Sequence, residues 1–139
     1  MSTISKKKLD DLIPLAIDVI NSLGFKNNEG HVSKTYHGYF SSFGADMINA
    51  SPLAAAIFSE DSSKKESDSN TGTKEDRTLV PLAILKLMKK KFDSNINDEK
   101  LSLYIISKST NGVLPPIYIE NILASAIALK IALRTFKKS

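Results

Sequence analysis

Apolar residues recur every three or four positions through most of this chain, the spacing of one face of an α-helix. The first such stretch is Leu9, Leu12, Ile13, Ala16, Val19, Ile20 and Leu23, closed by Gly24. Pro14 lies inside it. Either the regular helix starts near Asp10, with Pro14 in its first turns, or a longer helix kinks at the proline. Residues 25–32, with Asn27, Asn28 and Gly30, form a loop. A second helix is predicted from about Ser33, a possible N-cap, to Ala50, with Tyr36, Tyr39, Phe40, Phe43, Met47 and Ile48 on its apolar side. Ser51-Pro52 then has the form of an N-cap followed by proline in the first helical position. The short helix it opens, Leu53 to Ser59, is apolar nearly all round, which predicts burial in the fold or by a partner.

From 60 to 76 the pattern stops: EDSSKKESDSNTGTKED contains no apolar residue. Such a run cannot offset the entropy of its own ordering by burial, so a flexible surface loop is expected. Periodicity resumes at Leu82, Leu85, Met88 and Phe92, with Thr78 as the expected cap and Pro81 in the first turn. Lys89 to Lys91 end this helix, where cations suit its dipole. LSLYIIS (101–107) suits a helix or a strand; with no second strand evident, a helix capped by Asn97 or Asp98 is favoured. After the loop TNGVLPP (110–116), Ile119, Ile122, Leu123, Ala126, Leu129, Leu133 and Phe136 place one stripe on a last helix over 117–136. Its alanines permit close helix packing. The pattern predicts an all-α fold: one domain over 1–139, a bundle of five or six helices with a loop in the middle.

Bulk properties narrow the picture. The chain has 139 residues, enough to bury a core without covalent staples. With no cysteine, disulfides and thiolate metal sites are excluded. No unbroken apolar run reaches the roughly 18 residues of a membrane span, and the basic start MSTISKKKLDD lacks the apolar core of a signal peptide. A soluble cytoplasmic protein is the expectation, with no membrane partner. Lys6 to Lys8 are expected to be a solvated terminus. The net charge of +4 permits contact with phosphate backbones without demonstrating it.

Catalytic patterns are missing. His31 and His37, the two histidines, are six apart and do not share a helix face as a metal pair would. Ser41 and Ser42 lie near His37 in no triad order. No Gly-rich phosphate loop or zinc-protease motif is present. The expectation is a protein without catalysis, cofactor, metal or small-molecule substrate. One basic pattern stands out. Lys130, Arg134 and Lys137 or Lys138 recur at helical spacing beside the last apolar stripe, with Lys34 as a further candidate. These are either a solvated face or a row of phosphate contacts. KTYHGYFSSFGADMI (34–48) is the other unusual segment. Tyr36 and Tyr39 either pack in the core or stack on bases, and Gly44 at mid-helix suggests a bend or the close approach of another backbone.

Three segments together resemble one family, the small helical subunit of the type III-B CRISPR effector, the Cmr RNA-targeting complex. KTYHGYFSSFGADMI is similar to its Lys-x-Tyr-x-x-Tyr-x-Ser-Ser-Phe-Gly-Ala pattern. Ser51-Pro52-Leu53 leads into AAAIF where the family has Ser-Gly-Leu and an Ala-rich run, with Pro52 departing from the usual glycine. AIALKIALRTFK (126–137) resembles its Ala-x-x-Leu-Lys-x-Ala-Leu-Arg-x-Phe. The resemblance implies a non-catalytic subunit that stacks in several copies along the guide RNA filament and helps to hold the guide–target RNA duplex in antiviral defence. Its implied partners are the large polymerase-like subunit, the backbone subunit, further copies of itself, and guide and target RNA. Carried onto this chain, it makes Lys34, Lys130, Arg134 and Lys137 the candidate RNA contacts. Tyr39, Ser41, Ser42 and Gly44 become the candidate assembly surface. The alternative is a helical adaptor that binds only protein.

Overall fold

The computed structural model describes residues 4–61 and 75–138. Six α-helices follow one another among them: α1 (Lys6–Ser22), α2 (Thr35–Asn49), α3 (Pro52–Glu60), α4 (Leu79–Lys91), α5 (Leu101–Lys108) and α6 (Pro116–Ala132), which ends in a 3-10 turn, Leu133–Thr135. The chain is thus an all-α, single-domain bundle, with one hydrophobic cluster drawing on every helix. Of the low-complexity run over 60–76, residues 62–74 lie outside the described residues.

α6 is the hub. It packs against α1, α2 and α4. Ala124, Ala128 and Ala132 are fully buried on it, where their small side chains let neighbouring helices come close. Ile122 and Leu129 fill the remaining space, each with no exposed surface. The single stripe expected from the sequence is therefore too narrow. Asn121 and Ser125 are buried as well, while Ile119, placed in the stripe, is exposed. Helices on several sides leave α6 little solvent face, and a buried helix is apolar all round rather than along one edge. The segment Pro116–Thr135 is also long and apolar enough to cross a membrane by length and composition, although charged residues interrupt its apolar run. In the fold, half of that window is buried against the other helices.

α1 is the longer of the two alternatives. It starts at Lys6, capped by the Ser5 hydroxyl, which accepts from the Lys8 backbone N–H at 3.1 Å, and carries Pro14 internally. Lys8 is not solvated as expected. Its Nζ donates to Glu120 Oε2 at 2.6 Å and to Asn121 Oδ1 at 2.9 Å on α6, and lies 5.0 Å from the Phe92 ring centroid. This satisfies the buried Asn121, a polar group that would otherwise be costly at a helix interface.

Helix starts show where local signals hold. Ser51 caps α3 as expected, accepting from Ala54 N–H at 3.0 Å, with Pro52 in the first position. α2 starts two residues after Ser33, whose hydroxyl accepts from Thr35 N–H at 3.2 Å. Thr78 does not cap α4 with its side chain. Asp76 accepts instead from both the Thr78 N–H (3.0 Å) and its hydroxyl (2.5 Å). The Asp76 N–H donates to the Tyr36 hydroxyl at 2.9 Å, tying α4 to α2. Neither Asn97 nor Asp98 caps α5. The Glu60 carboxylate at the end of α3 accepts from Ser102 N–H (3.0 Å) and from the Ser102 hydroxyl (2.5 Å). Glu60 and Asp76, the two ends of the expected loop, are thus structural.

α3 is only half covered. Ala55, Ala56 and Ser59 are buried, while Ile57 and Phe58 stand about half exposed. α5 is a helix and packs against α3, with Leu103 and Ile106 exposed on it.

A candidate nucleic-acid interface at the α2–α6 groove

α2 and α6 lie side by side and antiparallel, the start of α2 beside the end of α6. On α2, His37, Ser41, Gly44, Ala45 and Ile48 follow one another at helical spacing, and all but His37 line a cleft of about 230 Å³. Leu123, Ala126, Ile127 and Lys130 of α6 form its other wall. Ile48 is the most exposed large apolar side chain described, at 74%. The helix faces follow from the packing. Phe40, Phe43 and Met47 are buried, and the small Ser41, Gly44 and Ala45 leave the neighbouring strip low.

At the upper end of this cleft, three cations meet one histidine. Arg134 Nε–H donates to His37 Nε2 at 3.4 Å. Lys130, on the last turn of α6, and Lys138 act on the same ring electrostatically. Loss of hydration and then the charges of Lys130, Arg134 and Lys138 hold the His37 pKa below its ordinary value. The neutral ring can accept the Arg134 hydrogen bond; a protonated ring could not. None of Lys130, Arg134 and Lys138 makes an ion pair among the described residues. Among the described residues, the result is a patch of positive charge with no carboxylate paired to it.

Lys138 arrives there by a different route from the one expected. The helix ends at Ala132 and the chain is extended after Phe136, so Lys137 and Lys138 do not continue the helical row. The tail instead pairs beside Val32, whose N–H donates to the Lys137 carbonyl at 2.8 Å. Lys137 contributes its backbone to this pairing, and Lys138 is the tail residue whose charge reaches His37. Val32 is placed by a turn in which Asn27 Oδ1 accepts from Glu29 and His31 N–H groups, at 2.9 and 3.0 Å. Gly30 makes that turn possible at φ +80°, a conformation that favours glycine.

The candidate residues of the sequence thus divide. Lys130 and Arg134 come together with Ser41 and Gly44 on one groove. Lys34 is exposed at the α2 cap, one turn before His37. Ser42 is exposed but does not line the cleft. Tyr39 is half-buried, its ring edge-on to Tyr36 at 5.8 Å, and packs against the core; Tyr36 is buried against Phe25. Core packing therefore accounts for both tyrosines. A Cβ built on Gly44 meets nothing within 4 Å, so among the described residues no other element closes on this glycine. The Ser41 hydroxyl donates to the His37 carbonyl at 3.1 Å, one turn back along α2.

In the sequence, His37 fits neither a metal pair nor a triad. Its place among the cations depends on the pairing of α2 with α6, which no local pattern reveals. Among the described residues no group of three or more His, Asp and Glu side chains is arranged to hold a metal ion. No family model, curated protein or solved structure matches this chain.

Proposed function

We propose that this chain is a non-catalytic, RNA-contacting subunit of a ribonucleoprotein, of the kind found in type III-B CRISPR effectors. In this reading it packs in several copies beside the guide RNA filament, in the cytoplasm, and helps to hold the guide–target duplex. Its partners are the large polymerase-like subunit, the backbone subunit, other copies of itself, and guide and target RNA. One observation carries the RNA contact: Lys130, Arg134 and Lys138 converge on His37, and none of the three is neutralised by a carboxylate among the described residues. Such a patch suits phosphate oxygens, which it can meet without reading sequence.

The test is binding of a fluorescent single-stranded RNA to the full chain across a salt series. Each phosphate contact adds about 0.7 to the log–log salt slope on single strands, so Lys130→Ala with Arg134→Ala should lower the slope by about 1.4. An unchanged affinity and slope at low salt refutes the RNA contact. A protein-only adaptor is the second reading, favoured by the exposed Ile57, Phe58, Leu103 and Ile106 on the paired helices α3 and α5. It predicts complex formation without guide RNA, indifferent to the two charge removals.

A further inference from the structure

The basic cluster contains one group whose charge is adjustable. Lysine and arginine stay protonated across the physiological range, while histidine titrates within it. His37 faces Lys130 from α6, Arg134 from the 3-10 turn and Lys138 from the tail, and none of the groups acting on its ring is a carboxylate. In the free chain, the ring nitrogen nearest Arg134 is a hydrogen-bond acceptor. A proton on that nitrogen would set two cations against each other at 3.4 Å. A bound anion reverses this balance. It replaces like-charge repulsion with attraction to four groups, and its oxygens can accept from both Arg134 and a protonated His37.

We propose that His37 is a proton-coupled phosphate ligand: neutral in the free chain, it takes a proton from solvent onto Nε2 when a phosphodiester of RNA settles among Lys130, Arg134 and Lys138. The inference rests on the RNA reading above. In the bound state the Arg134 Nε–H turns from the ring to a phosphate oxygen, and the new His37 N–H donates to the same phosphate. Arg134 is already oriented by its bond to His37. Its Nη groups make no other hydrogen bond among the described residues, which leaves its donor fork for the anion. Ser41 holds the ring's own turn of helix through its bond to the His37 carbonyl. Binding at this site therefore strengthens as pH falls through the histidine range, in addition to the salt dependence common to all cationic sites.

Two measurements on the full chain test this. The first is the affinity for a labelled single-stranded RNA at about pH 8 and about pH 5.5, for wild type, His37→Gln and His31→Gln. If the phosphate lifts the His37 pKa by about one unit, wild type gains up to about tenfold in affinity at the lower pH. His31→Gln keeps that gain, and His37→Gln loses it. The second is the NMR titration of the His37 ring with and without saturating RNA, where the midpoint rises on binding. Equal pH profiles for wild type and His37→Gln, or a midpoint unmoved by saturating RNA, overturn the proton coupling and leave the RNA reading standing. A midpoint moved as far by millimolar inorganic phosphate reassigns the site to free phosphate and overturns the proposal as stated. No RNA binding at either pH overturns the RNA reading itself, and this inference with it.

Discussion

Replacing Glu60 with alanine should destabilise the bundle by about 2 kcal/mol. The carboxylate accepts two hydrogen bonds from Ser102, at 3.0 Å from the N–H and 2.5 Å from the hydroxyl, and joins the end of α3 to the start of α5. α5 has no side-chain cap of its own at Lys100. Loss of a capping acceptor costs about 1 kcal/mol. A hydrogen bond to a charged group is worth about 1.5–3 kcal/mol when its partner is left buried. Ser102 is 7% exposed, so water replaces the lost acceptor only in part, and the two figures overlap rather than add. Glu60→Gln keeps one acceptor and loses the charge that suits a helix N-terminus, for a cost of about 1 kcal/mol. The assay is urea unfolding followed by far-UV circular dichroism, with stability taken from midpoints at constant m. Ser102→Ala and the double variant complete a cycle, for which a coupling above about 0.5 kcal/mol is expected. An additive cycle, or Glu60→Ala indistinguishable from wild type, refutes the clasp.

Three further outcomes follow from the geometry. Gly44→Ala should leave the fold intact and raise stability by up to about 1 kcal/mol, since the helix gains propensity and the new methyl meets nothing within 4 Å; thermal unfolding checks it. Gly30→Ala should cost about 1–2 kcal/mol, because its φ of +80° strains any side chain; backbone amide shifts at Val32 should then report a loosened tail. His37 lowers stability in acid. Its folded pKa lies below the unfolded value near 6.5, so the unfolded chain binds the proton first, and the stability present above that value is lost as pH falls through the folded pKa. Wild type should lose more stability than His37→Gln between about pH 7.5 and pH 5 in denaturant titrations, and parallel curves would refute the depressed pKa.

Much of the fold is legible in the sequence because it is written in local signals. Ser51-Pro52 is a helix start read from two adjacent residues, and the spacing of Leu12, Ala16, Val19 and Ile20 fixes the buried face of α1 without knowledge of its neighbours. What the sequence hides is long-range. The Glu60 carboxylate caps a helix 42 positions away, and Lys8 reaches Glu120 over 112. Neither separation leaves a trace in periodicity. The candidate site divides the same way. Lys130 and Arg134 are visible as a helical pair, whereas the contribution of Lys138 depends on the tail pairing with Val32, and that of His37 on which helix lies beside α2. Tyr39 looked available for contact because a tyrosine satisfies both a core and a surface pattern; only its packing on Tyr36 separates the two.

The central position of α6 has a consequence for biosynthesis. The ribosome makes α1 through α5 before the helix that most of them pack against. While α6 is still in the exit tunnel, α1 lacks one of the two helices, α4 and α6, that cover it. Non-local contacts of this kind slow folding and prolong the exposure of apolar surface. The nascent chain should therefore stay a client of ribosome-associated chaperones until residues beyond 132 have emerged, and should fold abruptly after that point.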